Sequence, residues 1–128
     1  MLRLNLRDGE RVVVNGAVLR ARGRTELLVE NGAAVLRGRD VIAPDEVTTP
    51  ARALYQALMM AYVDEPRRDA HRDEAAARIR DLHGALESPE ARADLLGIVE
   101  HAARGEWYGA LGRCRSLIAY ETQALARA

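Results

Sequence analysis

Arginine supplies all nineteen of the strongly basic side chains, and lysine none. Eight of these arginines, Arg3, Arg7, Arg11, Arg20, Arg22, Arg24, Arg37 and Arg39, fall within the first 39 residues beside only four acids. From residue 40 onward eleven arginines face fifteen acids, so the chain joins a basic N-terminal part to an acidic remainder although its net charge is zero. A guanidinium grips a phosphate through two parallel hydrogen bonds, and it can read the O6 and N7 edge of an unpaired guanine. Such asymmetry is the electrostatic footprint of a face that meets a polyanion. The competing reading is that a GC-rich genome writes arginine everywhere and that these side chains only solubilise a sheet.

No other group carries a catalytic or metal-binding pattern. His71, His83 and His101 lack cysteine or acidic partners at ligand spacing, and Cys114 sits mid-helix among apolar neighbours with no local histidine. Asp64-Glu65 and Asp73-Glu74 are adjacent pairs that point in different directions on a helix, which suits solvation or the helix dipole better than shared acid chemistry. There is no Walker lysine, and the glycines stand singly in turns rather than in a phosphate cradle. The expectation is a non-enzyme with no cofactor and no metal.

The arginines must be positioned by short strands. Leu2, Leu4 and Leu6 alternate with Arg3, Asn5 and Arg7, a period of two that buries three leucines on one face. Asp8-Gly9 ends this strand, and Arg11–Val14 follows as a β-branched run. Asn15-Gly16 suits a type I′ hairpin, from which residues 17–21 return antiparallel. Arg22-Gly23-Arg24 and Asn31-Gly32 turn the chain into strands over 25–30 and 34–37. Five such strands predict a small antiparallel sheet or barrel.

From Thr48 the period becomes helical. Thr49 is an N-cap with Pro50 at the first helical position, and the apolar run Leu54–Val63 predicts a largely buried helix. Asp64-Glu65-Pro66 opens a second helix with a stripe of Ala75, Ile79, Leu82 and Leu86. Ser88-Pro89-Glu90 opens a third, using Leu95, Ile98, Val99 and Ala102 and ending at Gly105. The fourth, from about Glu106 to Ala124, turns Trp107, Leu111, Cys114, Leu117 and Ile118 inward. Its start, Gly105-Glu106-Trp107-Tyr108, faintly resembles one tetratricopeptide helix, but stacking needs about three repeats, so the aromatic is read as pinning the helix to the bundle.

The expected fold is therefore α+β: an antiparallel β module over residues 1–47 and a bundle of about four helices over 48–128. A forty-residue sheet alone buries too little apolar surface and needs the helices or a second copy. Its exposed edges invite such pairing, so a homodimer is expected. The single cysteine fits a reducing compartment, and neither a signal-peptide pattern nor a membrane-spanning apolar run is present, which points to a cytoplasmic protein without a membrane partner.

Residues 1–50 contain no aromatic side chain, which excludes the stacking platforms of an RRM or an aromatic OB-fold on the sheet itself. An RNA-binding sheet of this kind must use arginine, main-chain groups and shape.

The chain resembles the flagellum biosynthesis repressor family FlbT of alphaproteobacteria over nearly its whole length. The resemblance is carried by Gly9-Glu10-Arg11, Asn15-Gly16-Ala17-Val18, Glu30-Asn31, Leu36-Arg37, Arg39-Asp40-Val41-Ile42, Thr49-Pro50-Ala51-Arg52 and Leu54-Tyr55. Gly105, Tyr108, Ala110-Leu111, Arg115, Leu117-Ile118 and Tyr120-Glu121 continue it. The chain departs after Tyr55, where it reads Gln56-Ala57-Leu58-Met59-Met60-Ala61-Tyr62 instead of the family's aromatic-Gln-Leu-Met-Tyr pattern. The resemblance implies a post-transcriptional repressor that binds the 5′ untranslated region of flagellin mRNA and limits its translation or lifetime. Met1-Leu2, Leu4, Arg7, Gly9-Glu10 and Val35-Leu36-Arg37 are also similar to the outer strands of the carbon storage regulator family (CsrA), with Leu6 where that family has a second arginine. That similarity implies that the first and fifth strands meet at an RNA face, with Arg7 and Arg37 at its basic positions.

Arg7 and Arg37 are accordingly the expected central RNA contacts, with Arg3, Asn5, Arg22, Arg24 and Arg39 around them. The alternative is an adaptor or chaperone for flagellin or another flagellar regulator, gripping a partner helix through Tyr62, Trp107 and Tyr108. A contiguous apolar groove on the bundle favours the adaptor, an arginine-studded sheet edge the RNA.

Overall fold

The computed structural model describes residues 1–127. Five strands precede four helices: β1 (Leu2–Leu6), β2 (Arg11–Val14), β3 (Ala17–Arg20), β4 (Thr25–Val29), β5 (Val35–Arg37), α1 (Pro50–Val63), α2 (Arg68–Ala85), α3 (Pro89–Ala103) and α4 (Trp107–Ala126). The fold is α+β, as the periodicities predict. The strands form two antiparallel sheets, β1 with β4 and β3-β2-β5. Strands one and five are thus not neighbours in a ladder, contrary to the arrangement implied by the similarity to the carbon storage regulators. β4 takes the pairing edge of β1, with Leu4 opposite Leu27, and β5 runs along β2 with Leu36 opposite Val13.

Alternation along β2 explains how these layers stack. Val12, fully buried, packs with Leu4, Leu6 and Ala21 in a small core between the two sheets. Its neighbour Val13 points the other way and joins Leu36 in the main core with Leu54, Leu58 and Ile98. Strands β2 and β5 therefore serve two cores at once, one shared with β1 and the other with the helices. The Asn15-Gly16 turn has both residues at positive φ (49° and 87°), as a type I′ hairpin requires. A side chain at Gly16 would also approach the Val63 carbonyl oxygen, 3.2 Å from an added Cβ, so the hairpin tip docks on the end of α1.

Helix α1 is the centre of the bundle, with eight of its fourteen residues buried. Thr49 caps it by accepting the Arg52 N–H at 3.3 Å, and Pro50 starts it. Helix α2 presents a narrow stripe in which only Ala75 and Leu82 are buried. Ser88 caps α3 through the Ala91 N–H. On α3 the buried stripe is Ala91, Leu95 and Ile98; Val99 lies one step round the helix and is 39 % exposed rather than inward. On α4 Trp107, Leu111, Cys114 and Leu117 are buried as expected. Edge strand β3 is exposed along its length. Among the described residues no helix is long and apolar enough to cross a membrane.

Candidate nucleic-acid interface

Two turns converge at one end of the β module. The Asp8 carboxylate accepts the Gly23 N–H at 2.7 Å, and the Gly9 N–H donates to the Ala21 carbonyl at 2.8 Å. These bonds clasp the Arg22-Gly23-Arg24 turn to the turn that follows Arg7. Glu10 closes the same turn by accepting the Arg7 N–H at 3.0 Å. Its other oxygen accepts both Nη2 (2.7 Å) and Nε (3.1 Å) of Arg37, and Arg37 Nη2 also donates to the Asn5 carbonyl at 2.7 Å. The Arg7 N–H first and the Arg37 guanidinium second hold the Glu10 carboxyl below the usual carboxylate range.

Arg37 therefore bridges β5, the start of β2 and β1, although β1 and β5 share no ladder. Three of its five N–H donors are committed to Glu10 and Asn5, which leaves only the Nη1 pair for a ligand. This makes Arg37 first of all a brace. Arg7, Arg22, Arg24 and Arg39 are exposed and form no ion pair among the described residues, so their guanidinium groups are uncommitted. Arg7, Arg37 and Arg39 line one open depression of about 590 Å³ together with Asp8, Gly9, Glu10 and Gly38. Both carboxylates are engaged, Asp8 by the Gly23 N–H and Glu10 by Arg7 and Arg37. Arg3 and Asn5 stand on the outward face of β1, opposite Leu28 and Glu26.

A second cleft, of about 400 Å³, opens between the strands and the helices. Arg3, Arg37 and Arg39 border it together with Tyr62 and Tyr108. Arg39 lines both depressions and so joins them. The tyrosine rings lie 6.1 Å apart, centroid to centroid, tilted by 58°. Two residues expected to grip a protein partner thus border the same cleft as three of the arginines. Trp107, the third, is 5 % exposed in the core with the Arg72 guanidinium 5.3 Å over its ring, and it offers no surface to a partner.

The turn that carries Arg39 is itself anchored. Residues Gly38–Asp40 form a single 3-10 turn, and the buried Tyr55 hydroxyl donates to the Asp40 carbonyl at 2.6 Å. Arg115 reaches both the Asp40 carboxylate (3.4 Å) and the Tyr55 oxygen (3.3 Å), and its guanidinium lies 5.9 Å from the Tyr108 ring centre. Sequence reasoning missed Glu10, Tyr55 and Arg115 as positioning residues. Only the three-residue spacing of Arg7 and Glu10 in a turn offered a local signal; the other contacts span fifteen residues or more. Among the described residues no group of three or more His, Cys, Asp and Glu could hold a metal.

Residues 2–125 match the family model described as flagellar protein FlbT. The chain belongs to the FlbT family. It is 41% identical over 125 residues to the flagellum biosynthesis repressor protein FlbT of Caulobacter vibrioides (strain ATCC 19089 / CIP 103742 / CB 15), covering 97% of this chain and 89% of that one. The probable FlbT of Caulobacter sp. (strain K31) is also 41% identical, with 97% and 95% covered, and that of Brucella anthropi is 31% identical, with 97% and 82%. No solved structure matches. In FlbT terms, both depressions fall within the matched residues, so the strands, the arginines and the two tyrosines belong to the family's own portion of the chain.

Proposed function

We propose that this chain is a repressor in flagellum biosynthesis that binds the 5′ untranslated region of a flagellin mRNA and limits its translation or hastens its decay. The observation that carries the reading is that Arg7 and Arg39, both without ion pairs among the described residues, line one open depression with Arg37, while the Asp8–Gly23 bond holds the Arg22-Gly23-Arg24 turn beside it. An extended phosphate backbone is the ligand that such a set of guanidinium forks fits, and binding in the cytoplasm, without chemistry, suffices for repression. Its relatives' names supply the flagellar context.

A second reading has its own support. Pro50, Leu82, Leu86, Leu117, Tyr120 and Leu125 line an apolar groove of about 350 Å³ at the far end of the bundle, the feature an adaptor for flagellin or another flagellar regulator needs. The two readings are separated by pulling down flagellin leader RNA with the purified protein, with and without flagellin. Capture of RNA without flagellin supports direct binding. Capture only in its presence assigns the RNA effect to an adaptor.

A further inference from the structure

The geometry points to a nucleobase pocket made jointly by the strands and the helices: an unpaired base enters the cleft at Tyr108 while the adjoining phosphates lie on Arg39 and Arg7. This inference rests on the RNA reading above and names where a base, rather than a phosphate, is held.

A nucleotide is an aromatic plate joined to an anion, and the cleft has the complementary pair of features. Tyr62 forms a fixed wall, because its hydroxyl accepts the Val35 N–H at 3.4 Å. Tyr108 stands beside it with 49 % of its surface open. Arg115, itself bonded to Asp40 and Tyr55, lies against the Tyr108 ring and steadies it. Among the described residues the one acid lining the cleft, Asp40, is 9 % exposed and paired with Arg115, so it opposes an anion weakly. Arg39 then leads from the cleft to the arginine-lined depression, a continuous path for a backbone. A protein partner's aliphatic side chain would use the rings but leave the uncommitted Arg39 without a counterion. The strands lack aromatics, yet stacking is available here because α1 and α4 bring two tyrosines to the sheet edge.

The test uses the full chain with two labelled probes of about a dozen nucleotides, a length on the scale of single-strand sites. One is oligoadenylate; the other is a fully abasic strand of the same length and charge. The pocket requires the wild type to prefer oligoadenylate by roughly 5- to 100-fold, the range of one stacked base. Tyr108→Ala should erase most of that preference with unchanged binding of the abasic strand, and Tyr108→Phe should retain it. Equal binding of both probes by the wild type, or a preference that survives Tyr108→Ala, overturns the pocket and leaves phosphate binding standing. Failure of the wild type to bind either probe overturns the RNA reading together with the pocket.

Discussion

Replacing Tyr55 by phenylalanine removes one oxygen from the joint between the arginine-bearing turn and the bundle. That oxygen donates to the Asp40 carbonyl at 2.6 Å from a side chain that is 4 % exposed. Only one partner is deleted, so the Asp40 carbonyl is left buried and unpaired, and the cost is the desolvation penalty of about 1–3 kcal/mol rather than the smaller net value of an exchanged bond. The Arg115 contact adds little, because that guanidinium is half in solvent and finds water. A loss of about 1–2 kcal/mol follows, and for a chain of this length each kcal/mol moves Tm by roughly 3–6 °C. Urea and thermal unfolding of wild type and Tyr55→Phe measure it. Tyr62→Phe should cost less, since the Tyr62 hydroxyl makes a longer bond of 3.4 Å at a partly exposed site. Burial raises the Tyr55 pKa, so the folded state disfavours the phenolate and wild-type stability should fall as pH rises past 10; the phenylalanine variant lacks that component. A destabilisation below about 0.3 kcal/mol, or one equal to that of Tyr62→Phe, would refute the assignment of Tyr55 as the anchor.

Two further outcomes are expected. Burial pushes the Cys114 thiol up to about 12, whereas a free thiol ionises near 8.5, so at pH 8 the native thiolate is scarcer by a factor of about 10³; iodoacetamide should label Cys114 in urea and leave the folded protein untouched, and rapid native labelling would contradict the buried placement. Glu10 is held below its ordinary 4.5, so the brace to Arg37 contributes fully at neutral pH and is lost as pH falls below 4.5 through the lowered value; unfolding midpoints of wild type should drop across that acid limb more steeply than those of Glu10→Gln, and parallel curves would dismiss the brace.

The alternation Leu2-Leu4-Leu6, the Asn15-Gly16 turn, the Thr49-Pro50 start and the Ser88-Pro89 start are local signals, and each element appears where its signal stands. What local patterns do not encode is partnership between strands. Nothing around Leu4 distinguishes a ladder with β4 from one with β5, because register depends on which faces are buried and both arrangements bury the same leucines. Arginine enrichment could not tell Arg37, tied to Glu10 and Asn5, from Arg39, which has no ion pair or side-chain hydrogen bond among the described residues. Residues 1–50 hold no aromatic, yet Tyr62 and Tyr108 border the strands, a neighbourhood that arises only from the packing of α1 and α4 and has no local signal in the strands' own sequence.

The interface claim is tested most directly by the salt dependence of flagellin leader RNA binding to wild type and to the Arg7→Ala/Arg39→Ala double variant, two exposed side chains whose loss disturbs no ion pair. Each phosphate contact removed from a single strand should flatten the slope of log affinity against log salt by about 0.7, so the double variant should bind more weakly at low salt with a slope shallower by roughly 1.4. Identical slopes and affinities for the two proteins would place the RNA elsewhere.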